Sequence, residues 1–265
     1  MTYETIIVER REGRVGVIKL NRPKERNALN ARLVADIVNA LHELDDDPQV
    51  HVIVIMSNVP GVFSAGRDLA EGSSALAADI IQQREISSGP PQIWLTLQSV
   101  RKVVIAAVSG YALAGGCGLA NSCDLVVAAE DAIFGLPEIN VGLFPMTVAP
   151  GMRRSIIGLK KCFELFFTGD RIDAQEAERI GLVNKVVPAD KLEKSAMELA
   201  QKIASKSPTT AQIGKQFFYT MLDMEYTKAV KYATEVVSIL ANSEDGKEGQ
   251  TAFLEKRAPQ WRKLA

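Results

Sequence analysis

The spacing of hydrophobic and polar residues changes along the chain, and each spacing predicts a different element. Two short β-branched runs, 6–8 and 15–20, flank a polar turn at 11–14 and predict a β-hairpin. Apolar residues then recur every three or four positions across 33–44, which predicts a helix that the Asn30 side chain can cap. The chain is therefore expected to open with a hairpin followed by a helix.

Three further apolar runs predict buried strands, at 51–56, 103–108 and 124–129. Helical patterns alternate with these runs, as expected for parallel βαβ units in an α/β domain. The sequence therefore predicts an α/β core over residues 1–188.

From about Ala189 the pattern changes to amphipathic helices with no strand pattern between them. The predicted helices lie near 190–206, 208–222, 227–242 and 245–257. Helical periodicity leaves two alternatives open, because such a region can pack on its own domain or on a neighbouring subunit. Residues 189–265 are thus predicted to form a separate helical region.

Composition and charge limit the partners of this chain. Of its 265 residues, 47% are hydrophobic, which is enough for a core that can bury an active site. Lys and Arg total 31 and Asp and Glu total 32, so no overall positive charge attracts nucleic acid or an anionic membrane. With no signal-peptide pattern and no apolar run of membrane-spanning length, we expect a cytoplasmic protein.

Residue types that carry metal or nucleophilic chemistry are scarce. Cys117, Cys123 and Cys162 have no metal-binding spacing and are expected to be free thiols in the core. His42 and His51 are interpreted as structural residues. The sequence predicts no metal site and no bound cofactor.

Small residues after the strand at 51–56 form the first segment with candidate chemistry. Ser64, Ala65 and Gly66 let the backbone turn sharply and come close to a ligand. The alternative is an ordinary tight turn, which is common after a strand.

A second segment carries Gly110, Gly115, Gly116 and Gly118 between the strand at 103–108 and an apolar helix expected at 119–123. The first amides of a helix lack internal partners and sit at the positive end of its dipole, so they suit an oxygen that becomes negative. The glycine spacing does not match a dinucleotide fingerprint, and no Gly-Lys-Ser/Thr follows. Hydride transfer and nucleotide hydrolysis are therefore poorly supported.

The third segment is 134–145, in which Glu138 is the single charged residue. Apolar surroundings should desolvate its carboxylate, raise its pKa and make it a better base near neutral pH. The alternative is a surface or salt-bridged glutamate.

The order of these segments, with several shorter motifs, resembles the crotonase family, the enoyl-CoA hydratase/isomerase superfamily, over nearly the whole chain. The motifs are Asn21-Arg-Pro23, Asn27-Ala-Leu29, Phe63-Ser-Ala-Gly-Arg-Asp-Leu69, Gly110-Tyr-Ala-Leu-Ala-Gly-Gly-Cys117, Cys123-Asp124, Phe134-Gly-Leu-Pro-Glu138, Phe167-Thr-Gly-Asp170, Ala174-x-x-Ala-x-x-x-Gly-Leu-Val-Asn184 and Phe253-Leu-Glu-Lys-Arg257. The resemblance implies an α/β fold, a crotonase-like spiral of ββα units followed by a C-terminal helical trimerisation region.

The resemblance also implies a chemical role for three residues. The backbone amides of Arg67 and Gly115 would form an oxyanion hole for a thioester carbonyl, with Glu138 as the catalytic base. Each such donor typically stabilises the transition state by about 3 to 4 kcal/mol. The Arg67 guanidinium is a separate question, since it could meet a CoA phosphate or a local carboxylate.

Gly118 departs from the hydratase pattern, because hydratases of this family carry a second glutamate there. Isomerases that move a double bond with one glutamate match this chain more closely, and we expect single-glutamate enoyl-CoA isomerisation. The alternatives are a hydratase with a non-standard second acid and a catalytically weak CoA-binding protein. Dienoyl-CoA isomerases and the aspartate-nucleophile dehalogenases of the family carry an acid near the position of Met146. Phe144-Pro-Met146 offers none, so those chemistries are disfavoured.

By the same resemblance, CoA would be part of the substrate rather than a cofactor, and the protein would be a homotrimer or homohexamer. The residues expected to contact CoA are Lys24, Arg26, Ala65, Arg67, Asp68, Leu69 and Ala70, with Phe253 and Lys256 from an adjacent subunit. The segments 93–97 and 144–146 could line an acyl pocket or belong to the core. RNA binding, known for one branch, is disfavoured because Arg32 is the only Lys or Arg of the helix at 31–45.

Overall fold

A six-stranded β-sheet forms the centre of the molecule. The computed structural model describes residues 2–68, 91–156 and 158–261. Its strands are β1 (Ile6–Arg11), β2 (Val15–Leu20), β3 (Val52–Ser57), β5 (Val103–Val108), β7 (Leu125–Ala129) and β10 (Lys185–Val187). They lie in the order β1-β2-β3-β5-β7-β10, with β1 antiparallel to β2 and every other neighbouring pair parallel.

A second sheet of four short strands lies beside the ends of the first and was not predicted from the sequence. Its order is β4-β6-β8-β9, with β9 antiparallel to β8 and the other pairs parallel. Three residues per strand are too few to show a periodicity of two. The strands are β4 (Val62–Ser64), β6 (Tyr111–Leu113), β8 (Ile133–Gly135) and β9 (Arg171–Asp173).

Helices cover both faces of the large sheet, which explains why its strands are apolar throughout. Ile53 and Ile55 of β3 share a buried cluster with α1 (Ala31–Asp46). Val52 and Val54 point to the other face and pack with α7 (Leu192–Ala204). Each such side chain contributes about 1.5 to 3 kcal/mol when fully buried.

The predicted helices are confirmed, with one correction. The Asn30 side chain accepts a hydrogen bond from the Leu33 amide at 2.9 Å and caps α1 as expected. The correction concerns α3 (Gly115–Ser122), which begins four residues before the predicted start because the glycines form its first turn. The other helices are α2 (91–99), α4 (Ala149–Ser155), α5 (Leu159–Thr168), α6 (Ala174–Arg179), α8 (Pro208–Met221), α9 (Tyr226–Asn242) and α10 (Glu244–Leu254).

The first two helices after residue 189, α7 and α8, pack on the α/β core of the same chain. Besides the packing of α7, Lys215 of α8 is buried and donates to the carbonyl oxygens of Leu97 and Lys102, both at 2.9 Å. Its Nζ also lies 2.8 Å from a carboxylate oxygen of Asp124, which accepts from the Tyr219 hydroxyl at 2.8 Å. The division of the chain at 188/189 stays a prediction. None of the described helices is long and apolar enough to cross a membrane.

We predict that Lys215→Met lowers the free energy of unfolding by about 3 to 5 kcal/mol, since it leaves the Asp124 carboxylate without its buried cation. Urea denaturation measures this loss. Lys202→Met, at an exposed position, is the matched control and should change stability by less than about 0.5 kcal/mol. Equal effects of both substitutions would show that the buried pair does not hold α8 on the core.

Candidate active site

The turn at Gly66 contacts the first residues of α3. Gly66 has φ of +95°, and a Cβ there would lie 2.6 Å from the Ala114 Cβ and 2.8 Å from the Leu113 carbonyl oxygen. It would also lie 3.2 Å from the Gly115 nitrogen. Only glycine combines this dihedral with such a close approach of two backbones.

A short backbone pairing holds the turn in place. The Leu29 amide donates to Gly66 O at 2.6 Å, and the Asp68 amide donates to Leu29 O at 3.0 Å. The Ala65 amide donates to Arg26 O at 3.0 Å. Residues 26–29 and 65–68 therefore form a parallel bridge that fixes the backbone on both sides of Gly66.

The buried side chain of Asn27 anchors that backbone pairing. It is fully buried with φ of +54°, a conformation that asparagine tolerates better than most residues. Its side chain accepts from the Arg22 amide at 2.8 Å and donates to Ser57 Oγ at 2.8 Å and to Phe63 O at 3.0 Å. The motif at 27–29 belonged to the family resemblance, but its anchoring role was not predicted.

Two backbone donors face outward where the turn and the helix meet. The N–H groups of Arg67 and Gly115 have no acceptor within the described ranges. A Cβ at Gly115 would lie 3.7 Å from the Arg67 nitrogen, so the two amides are neighbours. Ala114, the residue before α3, has φ of 50° and ψ of −124°, a strained conformation that turns the chain into the helix.

Glu138 lies in a short 3₁₀ helix, Pro137–Val141, and its carboxylate is partly buried. Its Oε2 is buried without a hydrogen-bond partner in the described structure. Burial raises the pKa of this carboxyl above its ordinary value, and a hydrogen bond from its own backbone opposes the shift. The partial burial of this carboxylate agrees with the desolvation expected from the sequence.

One cleft of about 570 Å³ is lined by Arg67, Gly115 and Glu138 together. Glu138 is the one carboxylate among its lining residues in the described parts of the chain. Most of the other lining side chains are apolar, among them Leu29, Trp94, Val141, Leu143, Phe144, Met146 and Val148. The cleft can thus hold an apolar chain with a carbonyl at the two amides.

The space beside Gly118 is already occupied. A Cβ at this position would lie 2.7 Å from Val148 Cγ2 and 3.4 Å from Trp94 Cζ2. A side chain at 118 would require Val148 to move, and Trp94 already stands at contact distance. The hydratase-type glutamate is therefore absent, and its place is packed with carbon.

Only some of the residues predicted to contact CoA line the cleft. Ala65 lines both the cleft and an adjoining cavity of about 520 Å³, which Arg26 also lines. Lys24 is exposed and lines neither. Asp68 forms an ion pair with Arg22 at 3.2 Å, so its carboxylate orders the turn rather than facing the cleft.

The remaining predicted contacts lie away from the cleft or cannot be placed. Phe253 is 82% exposed and Lys256 is exposed, both near the C-terminal end of α10. They do not line the cleft of this chain. Leu69 and Ala70 lie outside the described residues.

Arg171 is a candidate site residue that the sequence analysis missed. It lines both cavities, and its guanidinium carbon stands 5.4 Å from the centre of the Tyr111 ring. The only sequence signal was its place directly after the motif 167–170. Among the described residues, Arg67 also lines the cleft and Arg26 the adjoining cavity, so three guanidinium groups make this side of the two spaces cationic.

The side chains that could bind a metal or act as nucleophiles are dispersed or buried in the described structure. Its His, Cys, Asp and Glu side chains form no group of three that could hold a metal. All three cysteines are free and buried, as predicted, and burial raises the pKa of the Cys117 thiol to about 12. His51 is buried and packs its ring against Arg14 and the Ala204 carbonyl, which agrees with a structural role.

Comparison with known proteins agrees with this geometry. A family model described as enoyl-CoA hydratase/isomerase matches residues 10–263. The chain belongs to the enoyl-CoA hydratase/isomerase family. It is therefore an enzyme of the hydratase or isomerase type, and the crotonase fold expected from its motifs is confirmed.

Three relatives illustrate the similarity. A "Probable enoyl-CoA hydratase" of Mycobacterium tuberculosis is 41% identical over 261 residues, covering 98% of this chain and 99% of the relative. A 2,3-dehydroadipyl-CoA hydratase of Escherichia coli is 39% identical over 259 residues, covering 97% and 98%. The crystal structure of human enoyl Coenzyme A hydratase domain-containing protein 3 matches with a TM-score of 0.92 at 33% identity, covering 97% of this chain and 100% of that one.

For this family member we predict that Gly66→Ala lowers kcat/KM for an enoyl-CoA at least about 100-fold, because the turn must move and carry the Arg67 amide with it. Gly158→Ala is the matched control, since Gly158 has a similar φ of +94° but open space around its Cα. Both substitutions place a side chain at a positive φ, which should lower the free energy of unfolding by about 1 to 2 kcal/mol. Equal activities of the two variants would contradict the role of the turn.

A second prediction concerns Glu138 and stability. The folded state raises its pKa, so it binds a proton more readily than the unfolded chain does, and stability is lost as pH rises through the raised value. Glu138→Gln should therefore unfold at a higher urea concentration than the parent at neutral pH. This difference in urea concentration at the unfolding midpoint should vanish below about pH 4, where Glu138 of the parent is protonated in both the folded and the unfolded state. Glu130→Gln, at an exposed position, is the matched control and should change stability by less than about 0.5 kcal/mol.

Proposed function

We propose that this protein is an enoyl-CoA isomerase that moves a double bond of an acyl-CoA thioester with Glu138 as its single base. The observation that carries the proposal is that one partly buried carboxylate and two amides without an acceptor among the described residues line one cleft. No second carboxylate lines that cleft within the described residues.

The proposed reaction begins with the thioester oxygen at the amides of Arg67 and Gly115. Glu138 removes a proton from C2 of a 3-enoyl-CoA, and the electron pair spreads onto the thioester oxygen. The amides stabilise that charge by about 3 to 4 kcal/mol each. Protonated Glu138 then returns the proton to C4, which leaves a 2-enoyl-CoA and a regenerated carboxylate.

The surroundings of Glu138 suit a residue that first removes a proton and then returns it. A base that must take and return a proton works best when its pKa lies near the working pH. Burial moves the pKa of Glu138 in that direction. The free Oε2 has no partner to hold it away from a substrate carbon.

Hydration of a 2-enoyl-CoA is the second candidate, and the names of the similar proteins favour it. It requires water to deliver a hydroxyl to C3 and a proton to C2. Glu138 could accept the water's proton, but Gly118 cannot supply a second carboxylate, and Val148 and Trp94 fill the space next to it. Any second acid would have to come from elsewhere.

The cationic side of the cleft supports a proposed path for CoA. We place its phosphates near Arg26 and Arg171, which line the cavity that adjoins the cleft at Ala65. Cations compensate phosphate charge by charge-assisted hydrogen bonds. Exposed apolar side chains on α9 and α10, such as Ile239 and Phe253, support the proposal that residues 189–265 assemble a trimer or hexamer in which a neighbour completes the CoA site.

Separate incubations with 3-enoyl-CoA and 2-enoyl-CoA test the proposal, with products separated by chromatography. Conversion of one enoyl isomer into the other without 3-hydroxyacyl-CoA is the expected result. Rapid formation of 3-hydroxyacyl-CoA from 2-enoyl-CoA would favour the hydratase instead. Binding without any turnover would identify a CoA-binding protein and overturn both.

The pH profile gives an independent prediction for the same site. The base must be deprotonated, so kcat/KM should fall as pH is lowered through the pKa of Glu138 in the free enzyme. Because burial raises that pKa, the acidic limb should lie above the ordinary carboxyl value of about 4.3. Glu138→Gln should lower kcat at least about 100-fold and leave the Kd for a saturated acyl-CoA within about threefold. A limb near pH 4 in the parent would contradict a desolvated base.

A further inference from the structure

The C-terminal end of α2 is held by side chains from another helix. The last amide to bond back into α2 is that of Val100, which donates to Thr96 O at 2.9 Å. The next four carbonyl oxygens, those of residues 97–100, lie in the last turn, where an α-helix supplies no amide partners of its own. Such oxygens are satisfied by water, by a ligand or by side chains from elsewhere. Here the partners come from α8, in the C-terminal helical region.

Two neighbouring side chains of α8 serve all four of these oxygens. Lys215 Nζ donates to Leu97 O at 2.9 Å. Gln216 serves the other three with the two protons of its side-chain amide, and its Nε2 lies 3.0 Å from the oxygen of Ser99, 3.3 Å from that of Val100 and 3.5 Å from that of Gln98. Donors at this position also suit the negative end of the helix dipole. The side chains of α8 therefore form the C-terminal cap of α2.

The same part of α8 also holds the end of α3. Asp124 directly follows Cys123, the C-cap of α3. The Asp124 carboxylate lies 2.8 Å from Lys215 Nζ and accepts from the Tyr219 hydroxyl at 2.8 Å. One stretch of α8 thus contacts the C-terminal ends of α2 and α3 together.

These two helices meet at the cleft. Trp94 of α2 and Gly115 of α3 both line it. The Trp94 ring also packs on α3, because its Cζ2 lies 3.4 Å from where a Cβ at Gly118 would be. Trp94 is about one helical turn before Gln98, so the cap fixes the part of α2 that carries this ring.

Burial distinguishes the two capping residues. Lys215 is buried and paired with Asp124, so its removal affects the stability of the core. Gln216 is only partly buried and Ser99 is exposed, so water can replace the hydrogen bonds between them. Loss of the Gln216 amide should therefore loosen the end of α2 while the protein stays folded.

We propose, on the basis of the function proposed above, that Gln216 is a positioning residue for the enoyl-CoA reaction. Gln216 itself lies outside the cleft. Through the end of α2 it holds Trp94 against α3, and so keeps the cleft wall in one position relative to the oxyanion donor of Gly115. A misplacement of about 1 Å in a group that orients a substrate can lower the rate about 100-fold, even when the mutation is far from the chemistry.

Steady-state kinetics with 3-hexenoyl-CoA test this role. Gln216→Leu keeps a side chain of similar size and helix propensity but removes the donor, and it should lower kcat about tenfold. Gln216→Lys restores a donor whose charge suits the end of α2, and should keep kcat within about twofold of the parent. Gln212→Leu, one turn earlier on the same helix, is the matched control and should also stay within about twofold.

A cap with a structural role alone gives a different pattern. Gln216→Leu would then lower the urea concentration at the unfolding midpoint and leave kcat at the parent value, which overturns the proposal. Equal losses of kcat in Gln216→Leu and Gln216→Lys overturn it too, because the hydrogen bonds would not be the cause. A parent that leaves 3-hexenoyl-CoA unchanged overturns the proposed function instead, whereas the effect of Gln216 on Trp94 is measured without substrate.

Fluorescence quenching measures that effect in the folded protein. The chain has two tryptophans, so Trp261→Phe leaves Trp94 as the sole fluorophore. In this background Trp94 is 8% exposed and should be quenched weakly by acrylamide. Adding Gln216→Leu should raise the quenching constant at least about twofold, because the end of α2 opens more often, and Gln216→Lys should leave it unchanged. Equal quenching in all three proteins contradicts the proposal.

Discussion

The close contact between the Gly66 turn and the first turn of α3 is the constraint on which the rest of the site depends. Two backbones approach so closely that a Cβ at Gly66 would overlap the Ala114 side chain. This approach places the amides of Arg67 and Gly115 side by side, and neither has an acceptor in the described parts of the chain. Much of the surrounding structure maintains it. Asn27 fixes the parallel bridge on one side, and on the other β6 of the small sheet leads directly into α3.

Opposite these donors, the protein keeps a carboxylate in an apolar cleft at a cost to its own stability. Partial burial of Glu138 disfavours its charged form, and nothing in the described structure compensates the free oxygen. Such an arrangement is unfavourable for folding and suitable for proton transfer. Val148 and Trp94 fill the space beside Gly118, so the cleft combines two backbone donors with one carboxylate among its described lining residues.

The sequence predicted what depends on long periodic patterns and on local motifs. The hairpin, α1 with its Asn30 cap, the buried strands and the C-terminal helices follow from burial and capping, which act over neighbouring residues. The short second sheet could not be predicted, since its pairing is tertiary and its strands carry three residues each. For the same reason Arg171 was missed: it reaches the cleft only because β9 pairs with β8. The packing of Val148 against Gly118 likewise joins residues far apart in sequence.

The polarisation of a bound thioester carbonyl tests most directly whether the amides of Arg67 and Gly115 form an oxyanion hole. Infrared difference spectroscopy of butanoyl-CoA carrying ¹³C at the thioester carbon reports how strongly two amides polarise that bond. We predict a C=O stretch at lower wavenumber in the complex than in buffer, returning towards the buffer value with Gly66→Ala, which displaces the Arg67 amide. A stretch in the parent complex at or above the buffer value would contradict an oxyanion hole at Arg67 and Gly115.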